Sequence, residues 1–256
     1  MIEVDELTVQ FGGVVSLDRM TVTFPTETCG LIGPNGAGKT TFFNVLSGFV
    51  TPRSGRVTCD GVDLLAMAHF ERARWGLRRT FQTEQAIESL SLYENVLMVQ
   101  ENSKPHAGNN RQAVMTALEL VGLADLAQQR VGTFGARERR FVEVARAVVG
   151  TPKVVLLDEP AAGLPDQETE TLRAIIANIP VHTGATVVLV DHDMALVQGC
   201  CTTTAVLDFG RLLAAGPTAA VLHDRRMMEA YLGVEDDDAD LAGDKPATDR
   251  AARAVV

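Results

Sequence analysis

Apolar residues in this chain fall into two kinds of segment, and the two alternate. Cys29-Gly30-Leu31-Ile32, Val154-Val155-Leu156-Leu157 and Thr186-Val187-Val188-Leu189-Val190 are short, nearly unbroken runs rich in β-branched residues. Such runs predict strands covered on both faces, as in a parallel sheet. Thr40 to Leu46, His69 to Leu77 and Arg139 to Val149 instead space their apolar positions as helices do. Strand and helix in alternation predict an α/β fold. No internal repeat interrupts the pattern.

Each predicted strand runs into a group with chemistry to offer. Gly33-Pro34-Asn35-Gly36-Ala37-Gly38-Lys39-Thr40 follows the first and fits the phosphate-binding loop G-x-x-x-x-G-K-[ST]. Its glycines let successive N–H groups turn inward onto phosphate oxygens, and the helix that follows adds a favourable dipole. Lys39 is placed to reach the β- and γ-phosphates, and the Thr40 hydroxyl to hold Mg²⁺. The pattern predicts binding of a nucleoside triphosphate. The second strand ends in Asp158-Glu159. A carboxylate at a strand's carboxyl end suits a Mg²⁺-water partner, here Asp158, and Glu159 suits a base that polarises the attacking water. The third ends in Asp191-His192-Asp193, where a histidine can contact a γ-phosphate.

Composition narrows the setting. A chain of 256 residues, 46% hydrophobic, can bury one large core or a core with a small subdomain. The net charge of −10 gives no support to nucleic-acid binding. Part of it lies in 235–256, where seven acids face three bases in an Ala/Asp-rich stretch that predicts disorder. Cys29, Cys59, Cys200 and Cys201 form no C-x-x-C pair and are expected to be buried free thiols. The longest apolar runs fall far short of the ~20 residues that span a bilayer, so any membrane connection is expected through a partner. Trp75 and the methionines Met67, Met98 and Met115 are expected in the core. Arg72, Arg74, Arg78 and Arg79 are expected on a solvated basic face.

Taken together, these motifs resemble the ATP-binding cassette (ABC) ATPases over about residues 2–233. Phe11 looks like the aromatic that stacks on adenine, and Gly33 to Thr41 matches the Walker A loop. Gln82, in Arg79-Thr80-Phe81-Gln82, matches the Q-loop glutamine that touches Mg²⁺ and water and senses the membrane subunit. Leu156 to Glu159 matches Walker B, Ala162-Gly163-Leu164 the approach to the D-loop, and His192 the switch histidine. Phe43-Asn44-Val45-Leu46-Ser47-Gly48, Glu159-Pro160-Ala161-Ala162-Gly163-Leu164, Asp191-His192-Asp193-Met194 and Ala230-Tyr231-Leu232-Gly233 are similar to phrases in the ATPases of branched-chain amino acid importers. The resemblance implies a phosphate-loop NTPase core (about 1–80 and 150–233) with an inserted helical subdomain (about 83–150). It also implies ATP and Mg²⁺ as cofactors, transmembrane permease subunits as partners and, through them, a solute-binding protein. The expected location is the cytoplasmic face of the membrane, held there by the permeases. A soluble or regulatory ABC ATPase is the alternative.

One motif departs from the family. Counting back from the helix that contains Ala145-Arg146-Ala147 sets Phe134-Gly135-Ala136-Arg137-Glu138 on the L-S-G-G-Q signature. Gly135 then stands where a serine binds the γ-phosphate across a dimer interface, and Arg137 where a glycine closes on it. A side chain there obstructs backbone approach, although a guanidinium can pair with phosphate. A slip by one residue restores a glycine and still loses the serine. Either way the resemblance implies a heterodimer with a second ABC ATPase, since in a homodimer both sites would carry the degraded signature.

Overall fold

The computed structural model describes residues 1–103 and 109–224. The acidic stretch 235–256 and the Ala230-Tyr231-Leu232-Gly233 phrase lie outside the described residues.

Two sheets form the framework. β1 (Ile2–Phe11), β2 (Val14–Phe24), β4 (Ser54–Cys59) and β5 (Val62–Asp63) make an antiparallel sheet in the order β2-β1-β4-β5. The second sheet has the order β10-β9-β3-β8-β7-β6, from β3 (Thr28–Ile32), β6 (Leu77–Arg79), β7 (Val154–Asp158), β8 (Thr186–Val190), β9 (Thr203–Asp208) and β10 (Arg211–Pro217). All of its pairings are parallel except β9 with β10 at one edge. The three strands expected from the apolar runs are therefore neighbours, β3-β8-β7.

Their side chains show why the runs are unbroken. Successive residues of a strand point to opposite faces, and here both faces are covered. Val155, Leu157, Val187 and Leu189 pack with Leu92, Val96, Leu118, Phe141 and Ile176. Val154, Leu156, Val188 and Val190 pack with Phe42, Phe43 and Leu46 of α1 (Lys39–Ser47) and with Ile2, Leu7 and Leu17 of the antiparallel sheet.

Between β6 and β7 the chain forms α3 (Leu92–Glu101), α4 (Asn110–Leu120) and α5 (Ala136–Val148). α3 begins with a reciprocal cap: Glu94 N–H donates to Ser91 Oγ at 3.1 Å, and Ser91 N–H donates to Glu94 Oε2 at 2.7 Å. After β7 come α6 (Asp166–Thr183), α7 (Met194–Cys200) and α8 (Thr218–Leu222). The four cysteines are buried and free.

Three expectations need correction. The helix expected over His69–Leu77 is α2 (His69–Trp75): Gly76, at φ 125°, ends it, and Leu77 opens β6. The helix expected from Arg139 begins three residues earlier, at Ala136, where Gly135 supplies an extended N-cap. Of the basic run Arg74 is exposed as expected, but the other three do not form a solvated face. Arg72 and Arg78 are buried, and the Arg79 side chain is 6% exposed. Arg72 donates to the carbonyls of Val45, Leu46 and Met67, and Arg78 to Ala73 O and Ser103 Oγ. Burial lowers the pKa of both, that of Arg78 to about 10. Sequence spacing shows where arginines fall and not what their stems cover. Trp75 and Met67 do pack against the core, at its margin, and Lys153 Nζ lies 4.7 Å from the Trp75 ring centre.

Candidate active site

Sheet order brings the predicted groups together. Because β8 lies between β3 and β7, and β6 adjoins β7, the carboxyl ends of four adjacent strands deliver the loop, His192, the acids and Gln82 to one edge. In open α/β sheets that edge is where ligands bind.

The loop after β3 needs its glycines for close approach. A Cβ on Gly33 (φ 153°) would sit 2.1 Å from Leu207 O, and one on Gly38 (φ 106°) 2.6 Å from Ser16 O. α1 starts at Lys39 with no side-chain cap, so the N–H groups of its first turn stay available. Lys39 Nζ folds back over the loop and donates to Gly33 O at 2.6 Å and Pro34 O at 2.9 Å. Burial lowers the Lys39 pKa, against the opposing charges of Glu159 and Asp158. Thr40 is exposed, while the Thr41 and Ser16 hydroxyls pair at 2.8 Å and tie the loop to β2.

At the end of β7, Asp158 is 3% exposed. Its N–H donates to Thr80 Oγ1 at 3.1 Å, and its Oδ2 takes a hydrogen bond from Arg79 Nη2 at 2.9 Å. Oδ1 is buried with no hydrogen-bond partner among the described residues. A buried carboxylate oxygen without a partner costs free energy unless something completes it. A hard cation that takes oxygen ligands, such as Mg²⁺, suits that oxygen.

Glu159 follows in the left-handed region at φ 48°, a conformation that costs on the order of 1 kcal/mol or more for a residue with a Cβ. Its N–H donates to Val190 O at 2.8 Å, locking it to β8. Its carboxylate meets His192, whose Nε2–H donates to Oε1 at 2.9 Å; an ionised carboxylate can only accept, which places the proton on Nε2. Asp191 sets the histidine's turn. It is buried and accepts from Asp193 N–H at 3.0 Å and Ala161 N–H at 3.3 Å. Burial raises its pKa, opposed by those backbone hydrogen bonds and one from His192.

A cleft of about 240 Å³ is lined by Ser16, Asn35 to Thr41, Gln82, Glu159 and Val190. Gly33 and Pro34 lie behind it as carbonyl acceptors for Lys39. His192 reaches it through Glu159. Phe11 is not in its lining; it is 51% exposed at the tip of the β1–β2 hairpin, on the strand pair that contributes Ser16. Gly135 and Arg137 are not in the lining either. They sit at the start of α5, where Arg137 pairs with Glu138 at 3.2 Å and lies 4.9 Å from the centre of the Phe141 ring. Sequence reasoning passed over Ser16 and Asp191 and misread Arg79. Only the Asp191-His192-Asp193 triplet carried a usable signal, an acid ahead of a strand-end histidine.

The family model for the ABC transporter matches residues 17–162, more than half the chain. The chain belongs to the ABC transporter family. It is 34% identical to the high-affinity branched-chain amino acid transport ATP-binding protein BraF of Pseudomonas aeruginosa, over 91% of this chain and 98% of that one. It is 33% identical, with the same coverage, to the high-affinity branched-chain amino acid transport ATP-binding protein LivG of Escherichia coli. Among solved structures, the ADP conformation of the ATP-binding cassette MJ1267 shares the fold, with a TM-score of 0.80 at 24% identity over 91% of this chain and 99% of that one. A dimeric cassette, MJ0796 bound to ADP and Pi, matches with a TM-score of 0.74 at 21% identity over 85% and 99%. This ABC cassette is thus a nucleotide-binding ATPase with a phosphate-loop core, and a subunit that energises a membrane transporter. Among the described residues no helix is long and apolar enough to cross a membrane. The edge it presents combines phosphate donors, a lysine, a metal-suited carboxylate and a carboxylate–histidine pair, the parts that hydrolysis of a γ-phosphate requires.

Proposed function

We propose that this cassette hydrolyses ATP to drive import of branched-chain amino acids or similar small solutes, as one half of a heterodimeric ATPase pair beneath permease subunits at the cytoplasmic face of the membrane. The observation that carries the reading is the convergence of Lys39, Asp158 and the Glu159–His192 pair at adjacent strand ends. Gly33 to Thr41 receive the phosphates, and Phe11 stacks on the adenine. Thr40, Gln82 and Asp158 would hold Mg²⁺, which when bound neutralises phosphate charge. Glu159 orients and deprotonates the attacking water. His192 fixes the Glu159 carboxylate and contacts the γ-phosphate from the β8 side. Residues 83–150 act as the helical subdomain that carries the signature and faces the partner ATPase. The names of BraF and LivG support the solute class.

Gly135 offers no hydroxyl and Arg137 is engaged by Glu138 and Phe141, which favours an asymmetric pair: this chain's Walker site completed by a partner's signature, and the partner's ATP facing the degraded one. A solute-binding protein delivers substrate to the permeases. The test is reconstitution with permease subunits, a second ABC ATPase and a solute-binding protein of a branched-chain amino acid importer. ATP-dependent uptake of labelled leucine, isoleucine or valine into proteoliposomes is expected. ATP-driven uptake of a different solute class, with none of these three, contradicts the substrate reading.

A further inference from the structure

Arg79 holds together three parts of the site that the motifs describe separately. Its Nη2 donates to Asp158 Oδ2 at 2.9 Å, its Nη1 to Asn44 Oδ1 of α1 at 2.7 Å, and its guanidinium lies 5.4 and 5.0 Å from the ring centres of Phe43 and Phe81. Both members of the Arg79–Asp158 pair are almost wholly buried, with side chains 6% and 4% exposed. Phe43 and Asn44 belong to the helix that leaves the phosphate loop, and Phe81 immediately precedes Gln82. With Oδ2 occupied by the guanidinium, Oδ1 is the Asp158 oxygen left without a hydrogen-bond partner among the described residues.

A buried ion pair of this kind is a poor device for stability, since its desolvation cost offsets most of the attraction. A planar, two-pronged cation between two rings is a good device for holding orientation. We propose that Arg79 is a positioning residue of the ATPase site: it fixes the rotation of the Asp158 carboxylate so that Oδ1 alone is offered to the metal, and it locks that carboxylate to α1 and to the segment leading into Gln82. The proposal rests on the reading of Asp158 as the metal-supporting carboxylate. Arg79 touches neither nucleotide nor metal; it acts through Asp158.

The experiment titrates Mg²⁺ against binding of a fluorescent ATP analogue to the full chain, with EDTA as the metal-free reference. It compares wild type, Asp158→Asn, Arg79→Met, Asn44→Ala and the double variant Arg79→Met/Asp158→Asn. Partners that orient a metal-supporting group typically contribute 10–100-fold to metal affinity, so Arg79→Met should raise the Mg²⁺ midpoint by about ten-fold. Its metal-free affinity should stay within about two-fold of wild type, because the phosphate loop is untouched. The double variant should match Asp158→Asn alone, since Arg79 acts only through that carboxylate.

Arg79→Met leaves a buried carboxylate unpaired and can fail to fold. The double variant removes both charges and avoids that, and Asn44→Ala loosens the guanidinium while keeping the pair. Asn44→Ala is expected to raise the midpoint by about three-fold, a part of the full positioning effect. A wild-type Mg²⁺ midpoint in Arg79→Met, or in Asn44→Ala should the former not fold, overturns the proposal if Asp158→Asn has lost its Mg²⁺ response. An equal loss with and without metal overturns it too, since that marks a merely structural role. A wild-type Mg²⁺ response in Asp158→Asn would overturn the metal assignment of Asp158 itself, and the proposal with it.

Discussion

Phe11 shows how far one residue can be judged. It is half exposed at a hairpin tip, so its ring adds little to the folded core, and stacking on adenine would give it a purpose. Removing the ring should weaken ATP binding by roughly ten-fold, the equivalent of ~1–2 kcal/mol of stacking and burial. Phe11→Ala should leave the nucleotide-free melting temperature unchanged, and calorimetric titration beside a thermal melt checks both. Unchanged affinity would leave the aromatic without this role. At this scale the sequence was legible wherever chemistry follows from spacing: the loop, Asp158-Glu159 and His192 each stand at a strand's end. It was not legible where a role depends on packing. Nothing in Arg79-Thr80 announces a guanidinium between two rings, and Ser16 joins the loop only because β2 folds beside it.

Elements were read better than their ends. β8 was predicted with its observed bounds, since an unbroken Thr-Val-Val-Leu-Val run has no other low-energy place than a covered strand. Helix bounds slipped where a backbone conformation decided them, at Gly76 and at Gly135. Arg72 matters at this scale. Its guanidinium donates to the carbonyls of Val45 and Leu46 at the carboxyl end of α1, where the helix leaves unpaired acceptors and a partial negative charge. Val45 O keeps the Gly48 N–H at 3.1 Å, so Arg72→Met should cost ~2 kcal/mol mainly through the buried Leu46 carbonyl left unmet, a fall of roughly 4–8 °C in melting temperature for a chain of this size. ATP affinity should change far less than stability, because the loop lies at the opposite end of α1. A melt indistinguishable from wild type would show that water serves those carbonyls equally well.

The molecule as a whole adds what single motifs lack, which is neighbourhood. The strand order β3-β8-β7-β6 explains why four segments far apart in the chain meet at one cleft. That order followed from no local pattern, and in the sequence it was available only through the family resemblance. The same scale raises the question of assembly. Gly135 caps α5 without a side chain, and Arg137 is held against Phe141 and Glu138, so on the proposed reading the end that would close on a partner's ATP is weakly equipped, whereas Lys39, Gln82 and Glu159 line this chain's own cleft. On the proposed reading Glu159 is the base of the site that sustains turnover. Steady-state ATP hydrolysis by the reconstituted pair carrying Glu159→Gln tests it most directly. The expected result is a fall of at least ~100-fold with ATP binding retained, the scale for losing general-base help at the one productive site. A rate equal to wild type, or one that falls only to about half as two equivalent sites would give, contradicts it.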